Sequence, residues 1–542
     1  MNSIPLRVIF CALSVSGALA LYAHQEPPSP KASLANIRGV IRDAITHQPI
    51  SEARVELKTE KGSQSTATGP KGEYDFRNVG AGRCSLSISK TGYSTLNEFV
   101  LDSGTVFTLG SGESTSRDYD LTPQGSITGT ITDDDSDQPA PGVRIIPMRE
   151  DYFMGKKRYL IVTSATSDTS GKYSIGNLAP GRYWLEISGG PSVAIQNSEP
   201  GRQTVNSTRS YGHSFYPGVP RIEMAAPIFV RPADVQQMDF RLHKRSLGCV
   251  RGTLQSPETS SGATPINLQL QQNSPGLFRV IAKAALTSGP FEICNLDEGE
   301  YNIVAATAGS TSDPFYAEYR LSMGTRDIDD LTITMQHGLT IEGSVLFAEG
   351  ESGGTLDGMW VGLDPLERPR TDQDRNVRVS STGQLRLQGV RPGEYWAFFE
   401  GLPKGYQVTH IRYSSSNSFS APIKPDAVLG NPRLEFVISA KLGSVLGSVH
   451  DSEGKAVSDA TVVLVPSPVP DQLAPYAVRT TSSGRQGEFG FEALAPGKYL
   501  AIVLLGQESR RYRDVDLIRQ KALQAATFEV GADKVVSVSV KP

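Results

Sequence analysis

Few residues in this chain have types and spacings that suggest chemistry. Asp133, Asp135 and Asp137 alternate in one loop, and carboxylates at that spacing can offer oxygens to Ca²⁺. The loop lacks the glycine at position six and the glutamate at position twelve that an EF-hand needs, so the competing reading is a solvated acidic turn ahead of Pro139. Trp184 and Trp396 each directly follow a tyrosine in an alternating stretch, which puts their rings on the face opposite Tyr183 and Tyr395. An exposed flat ring can stack on a sugar. Extra aromatic segments, Tyr152-Phe153 with Tyr159 and Tyr211 to Tyr216, crowd the same region, so Trp184, Trp396, Tyr211 and Tyr216 are the candidate ligand-binding residues. Contact with a neighbouring module or a covering loop is the alternative for the tryptophans.

Catalytic patterns are scarce. Gly350-Glu351-Ser352-Gly353-Gly354 fits Gly-x-Ser-x-Gly, but no helical stretch follows it to make a strand-to-helix elbow, and no phosphate-cradling glycine loop or His-Glu-x-x-His occurs. Ser87-Ile88-Ser89-Lys90 fits Ser-x-x-Lys but falls on an expected strand. The expectation is a protein without enzymatic activity, and without a cofactor unless the acidic loop holds Ca²⁺.

The elements that position these residues come from an internal repeat. A short apolar-x-Gly-x-apolar strand occurs around Gly39, Gly129, Gly252, Gly343 and Gly447. Between 43 and 52 residues later comes a turn, at Ala81-Gly82, Pro180-Gly181, Glu298-Gly299, Pro392-Gly393 and Pro496-Gly497. Four of the turns are followed by tyrosine: Tyr183, Tyr301, Tyr395 and Tyr499. Before each turn lies an alternating apolar strand, such as Tyr173 and Ile175 or Phe489 and Phe491, and after it another. Period-two alternation bounded by glycine and proline marks half-buried strands. Helical periodicity is confined to residues 511–526. Cys249 and Cys294 stand at positions that other copies fill with polar residues, and their joint appearance predicts a disulfide. Cys84 takes the place of the inward tyrosine in the first copy, which predicts a buried free thiol.

These motifs resemble the carboxypeptidase regulatory-like domain family, whose transthyretin-like (prealbumin-like) sandwich carries Gly-x-Val and later Pro-Gly-x-Tyr. The copies with Gly447, Gly487, Phe489, Pro496, Gly497 and Tyr499, and with Gly129, Gly171, Tyr173, Pro180, Gly181 and Tyr183, match best. The third departs most, with Asp297-Glu298 where the turn proline is expected. The resemblance implies accessory domains of secreted or envelope proteins, in a group of carbohydrate-binding-like folds. Metallocarboxypeptidases bearing such a domain need His-x-x-Glu plus a distant His for zinc; of the seven histidines here only His450 has glutamate at +3, Glu453, and a single match to so short a pattern does not make a zinc site.

The expected architecture is all-β: five tandem immunoglobulin/prealbumin-like antiparallel β-sandwich modules after an N-terminal signal peptide. Residues 1–23 read as the signal, with a run of roughly 16 apolar residues that is short of the ~20 needed to span a bilayer. A Pro-rich tether follows at 24–33, then modules at 34–122, 123–244, 245–337, 338–440 and 441–542, with linkers short enough to suggest a semi-rigid rod or arc. A net charge of −4 from 53 basic and 57 acidic residues argues against nucleic-acid binding. The expected role is a non-enzymatic scaffold, spacer or adhesion protein, secreted or periplasmic. Its expected partners are polysaccharide or another envelope or surface protein. The alternative is a carbohydrate-binding protein with an aromatic site in the second module.

Overall fold

The computed structural model describes residues 34–542 apart from 60–61, 95–104, 154, 199–208, 258–264, 275, 309–313, 352, 369, 371–373, 375, 415, 426–431, 485 and 526. The expected signal peptide and the whole of the tether lie outside the described residues. Strands dominate, and the α-helix described, Val515–Ala522, falls within the stretch where helical periodicity was expected. Asp514 caps it by accepting the backbone N–H groups of Asp516 and Leu517. Among the described residues no helix is long and apolar enough to cross a membrane.

Five hydrophobic clusters each occupy one stretch of chain, within residues 35–121, 127–242, 250–335, 341–438 and 445–540. The stretches are referred to below as units 1 to 5. In unit 1 the cluster lies between a sheet built on Ala35–Asp43 and one built on Arg54–Thr59 and Gly82–Ser89, and the other units repeat this two-sheet plan.

The pairing repeats from unit to unit. The first strand pairs antiparallel with the strand before the turn and parallel with the strand that closes the unit. Ile41 faces Tyr119, Ile131 faces Phe240, Leu254 faces Ile333, Val345 faces Phe436 and Val449 faces Val540. The sandwiches are therefore antiparallel except at this one ladder, where the chain has crossed over the opposite sheet before returning.

The repeated glycine is explained by that ladder. A Cβ added to Gly39 would stand 1.8 Å from the Arg117 carbonyl oxygen, and one added to Gly129 would stand 1.8 Å from that of Met238. Gly252 and Gly343 meet Leu331 and Leu434 in the same way, at 2.0 and 2.2 Å. Tyr74 and Tyr173 donate their hydroxyls to the same carbonyls of Arg117 and Met238, at 2.6 and 2.7 Å. The tyrosine after the turn folds back on it: Tyr183, Tyr301, Tyr395 and Tyr499 donate to the carbonyl four residues earlier, at Ala179, Asp297, Arg391 and Ala495. Each motif residue thus closes a backbone contact within its own unit.

Of the expected rod or arc, a straight rod does not form, because units far apart in sequence touch. The hairpin Arg144–Phe153/Lys156–Ile161 of unit 2 reaches beyond its neighbours. Arg158 donates to the Leu366 carbonyl of unit 4 at 2.9 Å, Lys156 pairs with Glu367 at 3.5 Å, and Arg511 of unit 5 lies over the Tyr152 ring. The edge strand Thr105–Leu109 of unit 1 runs beside Arg479–Ser482 of unit 5. Short linkers limit the angle between consecutive units, but the long hairpin supplies contacts between units that are far apart in sequence.

Candidate functional site at the joints between units

The joint between units 2 and 3 begins with the backbone. Ala194–Asn197, expected within the second sandwich, pairs antiparallel with Gly289–Leu296 of unit 3, Ala194 facing Cys294 and Asn197 facing Phe291. Unit 2 thereby adds a strand to its neighbour's sheet. Beside this ladder Trp184 packs with Ile146, Met148, Phe215, Ile222 and Leu277, the last contributed by unit 3. Tyr159 meets the Trp184 ring edge-on at 5.1 Å.

A polar network completes the joint. The Glu186 side chain is fully buried, and Arg279 of unit 3 grips it with both terminal nitrogens, one at 2.8 Å. His213 Nδ1 lies 3.0 Å from the same carboxylate, and Arg279 Nε donates to Gln272 at 2.9 Å. Burial pushes the Glu186 carboxyl upward, but the His213 hydrogen bond and the Arg279 charge outweigh it and hold the group below the ordinary glutamate range. Asp297 of unit 3 accepts the backbone N–H of His213. A side chain on Gly212 would collide with that carboxylate. Glu298 stands at the position of the turn proline, and the residue before it, Asp297, aligned with Ala179, Arg391 and Ala495 of the other copies, makes the contact with unit 2.

The joint between units 4 and 5 is aromatic. Trp396 is fully buried with Leu366, Ala474 and Ala477, and the Tyr476 ring stands edge-on at 6.2 Å. Tyr476 also packs on Phe399 and Phe419 and donates to the Ser418 carbonyl at 3.2 Å.

The candidate ligand residues are therefore placed differently from the expectation of exposed rings. Alternation does turn Trp184 and Trp396 away from their own cores, but Trp184 is covered by unit 2's own hairpin and the segment around Phe215 and Ile222 together with Leu277 of unit 3, and Trp396 by unit 5, leaving them 6% and 0% exposed. Tyr216 lies edge-on against Phe240 at 5.5 Å, and Tyr211 gives its hydroxyl to Asp133. The four do not form one surface, and the two tryptophans sit in separate joints.

The acidic loop does not gather its carboxylates either. Asp133 is buried and accepts from Ser136, Tyr211 and Lys244, the last at 2.6 Å. The hydrogen bonds from Lys244 and then Tyr211 hold its carboxyl well below the usual range. Asp137 pairs with Arg241, and Asp135 lies 3.7 Å from Arg209. The three thus turn to different cationic partners instead of converging on one point. Asp43 in unit 1 has the role of Asp133, taking the backbone N–H groups of Ile45 and Thr46 at 2.8 Å and the Tyr93 hydroxyl at 3.0 Å. This position is a turn-former of the repeat.

Cys249 and Cys294 are bonded across facing positions of adjacent strands, and Cys84 is buried outside any disulfide. Glu292, two residues from Cys294, accepts from Arg251 and Gln196, both at 3.0 Å. These three ligand types are close enough together to hold a metal, but the thiols are consumed by the disulfide and the carboxylate by a guanidinium.

No curated protein sequence matches the chain. Among solved structures it is similar to the Bacillus anthracis TIE protein, at 14% identity over 56% of this chain and 51% of that one, about half its length, with a TM-score of 0.17. It is similar to a streptococcal ancillary pilin at 13% identity over 54% of this chain and 98% of that one, with a TM-score of 0.20. It is also similar to BcpA, the major pilin subunit of Bacillus cereus, at 10% identity over 77% of this chain and 99% of that one, with a TM-score of 0.14. The model of the carboxypeptidase regulatory-like domain matches residues 36–122 and again residues 126–211. The chain therefore carries two tandem carboxypeptidase regulatory-like domains.

Proposed function

We propose that this chain is a non-enzymatic, exported scaffold of the cell envelope or the extracellular space, built from five sandwich modules at 34–122, 123–244, 245–337, 338–440 and 441–542. Its work is to hold surfaces at fixed positions, and its partners are other envelope or surface proteins. The observation that supports this best is the use made of the chemically distinctive residues. Trp184, Glu186, Arg279, Asp297 and Trp396 all hold one unit against another. A buried charge pair closed over a shared hydrophobic cluster favours one relative orientation, because misalignment leaves both charges desolvated and unpaired.

The test combines localisation with small-angle scattering. Fractionation is expected to place the full chain in the envelope or the medium, and its scattering is expected to fit a single arrangement at low and high salt. A profile that needs freely jointed units, or retention in the cytoplasm, would remove this reading.

A further inference from the structure

The closing strand of unit 5, Val535–Val540, has one bare side. Its sheet runs Glu488–Leu494, Gly443–Val449, Val535–Val540, and among the described residues no strand pairs beyond it. In unit 4 the same place is filled. Gln407–Tyr413 pairs antiparallel with the closing strand Arg433–Ser439, and Tyr413 faces Leu434. Val538 stands opposite Gly447 as Leu434 stands opposite Gly343, yet Leu434 is fully buried while Val536 and Val538 are only partly so. The cause lies in the chain. The stretch that makes the extra strand in unit 4 forms the helix Val515–Ala522 in unit 5, and its Leu517 and Ile518 pack on the outer face of the other sheet.

An uncovered edge is a template for another strand, and folded proteins normally blunt such edges with charge, a bulge or brevity. The closing strand of unit 3 carries Asp329 and Asp330 at a bulge, and that of unit 2 is broken into Val235–Gln237 and Phe240–Leu242. Val535–Val540 has none of these devices. It reads Val-Val-Ser-Val-Ser-Val, unbroken and without charge.

Backbone direction selects the occupant. Ser444 N–H bonds to the Lys534 carbonyl, and His450 N–H to that of Val540. Alternate residues of a parallel ladder turn both backbone groups to the same neighbour, so Val535, Ser537 and Ser539 turn theirs to the bare side. A second Val535–Val540, laid antiparallel about a two-fold axis through Ser537, meets these groups in register. Ser537 then exchanges both N–H···O bonds with Ser537 of the other copy, and Val535 does so with Ser539. The period of two sets Val536 beside Val538 of the other copy on the core side, so each copy covers the other's partly buried valines. At each end the exposed Asp533 and Lys541 of opposite copies come together, joining unlike charges. We propose that two copies of this chain associate through Val535–Val540, fusing their unit 5 sheets into one. The contact is self-complementary, as a two-fold interface must be. One shared strand pair is small beside a standard stable interface, so the association is expected at micromolar concentrations. This inference rests on the edge itself and not on the scaffold reading.

The experiment is sedimentation velocity on the full chain over a concentration series, with hydrogen exchange of the peptide 531–542 at both ends of the series. A monomer–dimer equilibrium is expected, with protection of that peptide rising as concentration rises. Ser537→Pro removes only a donor that faces the bare side. It is expected to melt close to the parent and to weaken association at least about tenfold. Ser537→Lys and Ser537→Glu each set like charges against one another at the axis. Either variant alone is expected to associate less than the parent, and an equimolar mixture of the two is expected to recover the dimer. That recovery needs no proline and reads the two-fold register directly. A parent that stays monomeric at every concentration, protection of 531–542 that does not change with concentration, or a dimer that all three substitutions leave intact would overturn the proposal.

Discussion

The Glu186 carboxylate of unit 2 is gripped by both terminal nitrogens of Arg279 from unit 3, with its side chain wholly shielded from solvent. The pair sits beside the added strand Ala194–Asn197 and the cluster that Leu277 completes. Removing one partner of such a pair leaves the other buried and uncompensated, which typically costs about 3–5 kcal/mol.

The pair makes the joint acid-sensitive in a defined direction. The folded-state pKa of Glu186 is held below 4.5, so its contribution is fully present above 4.5 and is lost as pH falls through the lower folded value. Glu186→Gln is expected to destabilise the joint by about 3 kcal/mol at pH 7, and the gap to the parent should narrow steadily below pH 4.5. Hydrogen exchange of residues 194–197 across that pH range measures this. A constant gap would show that the carboxylate charge is not what Arg279 requires.

The repeated glycine offers a test of the close-packed ladder. Gly129→Ala would drive a methyl group to 1.8 Å from the Met238 carbonyl oxygen, and backbone cannot yield as a flexible side chain can. A loss of about 3 kcal/mol, at the upper end of overpacking costs, is expected. Gly142→Ala is the control, since nothing lies within 4 Å of its added Cβ, although its φ of +72° adds a smaller backbone strain. Urea unfolding of both variants measures the difference, and equal losses would contradict the steric account.

The cysteines give a mass-based test. Under non-reducing conditions the folded chain is expected to show the Cys249–Cys294 bond and a Cys84 thiol that alkylates only after denaturation. The bond closes a loop with a sequence separation of 45. By the chain-entropy relation such a closure stabilises by about 4 kcal/mol, so Cys249→Ser with Cys294→Ser should lower the urea midpoint accordingly. Alkylation of all three thiols in the native, unreduced protein would exclude the pairing.

What the sequence made legible follows the range of the interactions. Gly129 and Tyr183 report contacts within one unit, where strand alternation and turn geometry carry the information, and both kept the roles their motifs implied. The disulfide was legible because two polar positions changed together on paired strands. Trp184 and Trp396 were half legible: period two turns them away from their own cores, but what covers them is contributed by residues as distant as Leu277 and Tyr476, and no local pattern encodes that. Asp137 was misleading for a related reason. Its carboxylate alternates with two others along the chain, yet its partner Arg241 arrives from the closing strand about a hundred residues later.

The parallel pairing of first and closing strands has a mechanical meaning. Force applied at a unit's two chain ends pulls these neighbouring strands lengthwise in opposite directions. The ladder bonds between Gly447 and Val538, or between Val345 and Phe436, then share the load and must rupture together rather than unzip one at a time. A tethered molecule of this construction resists stretching as a series of clamps, each yielding abruptly at its own threshold.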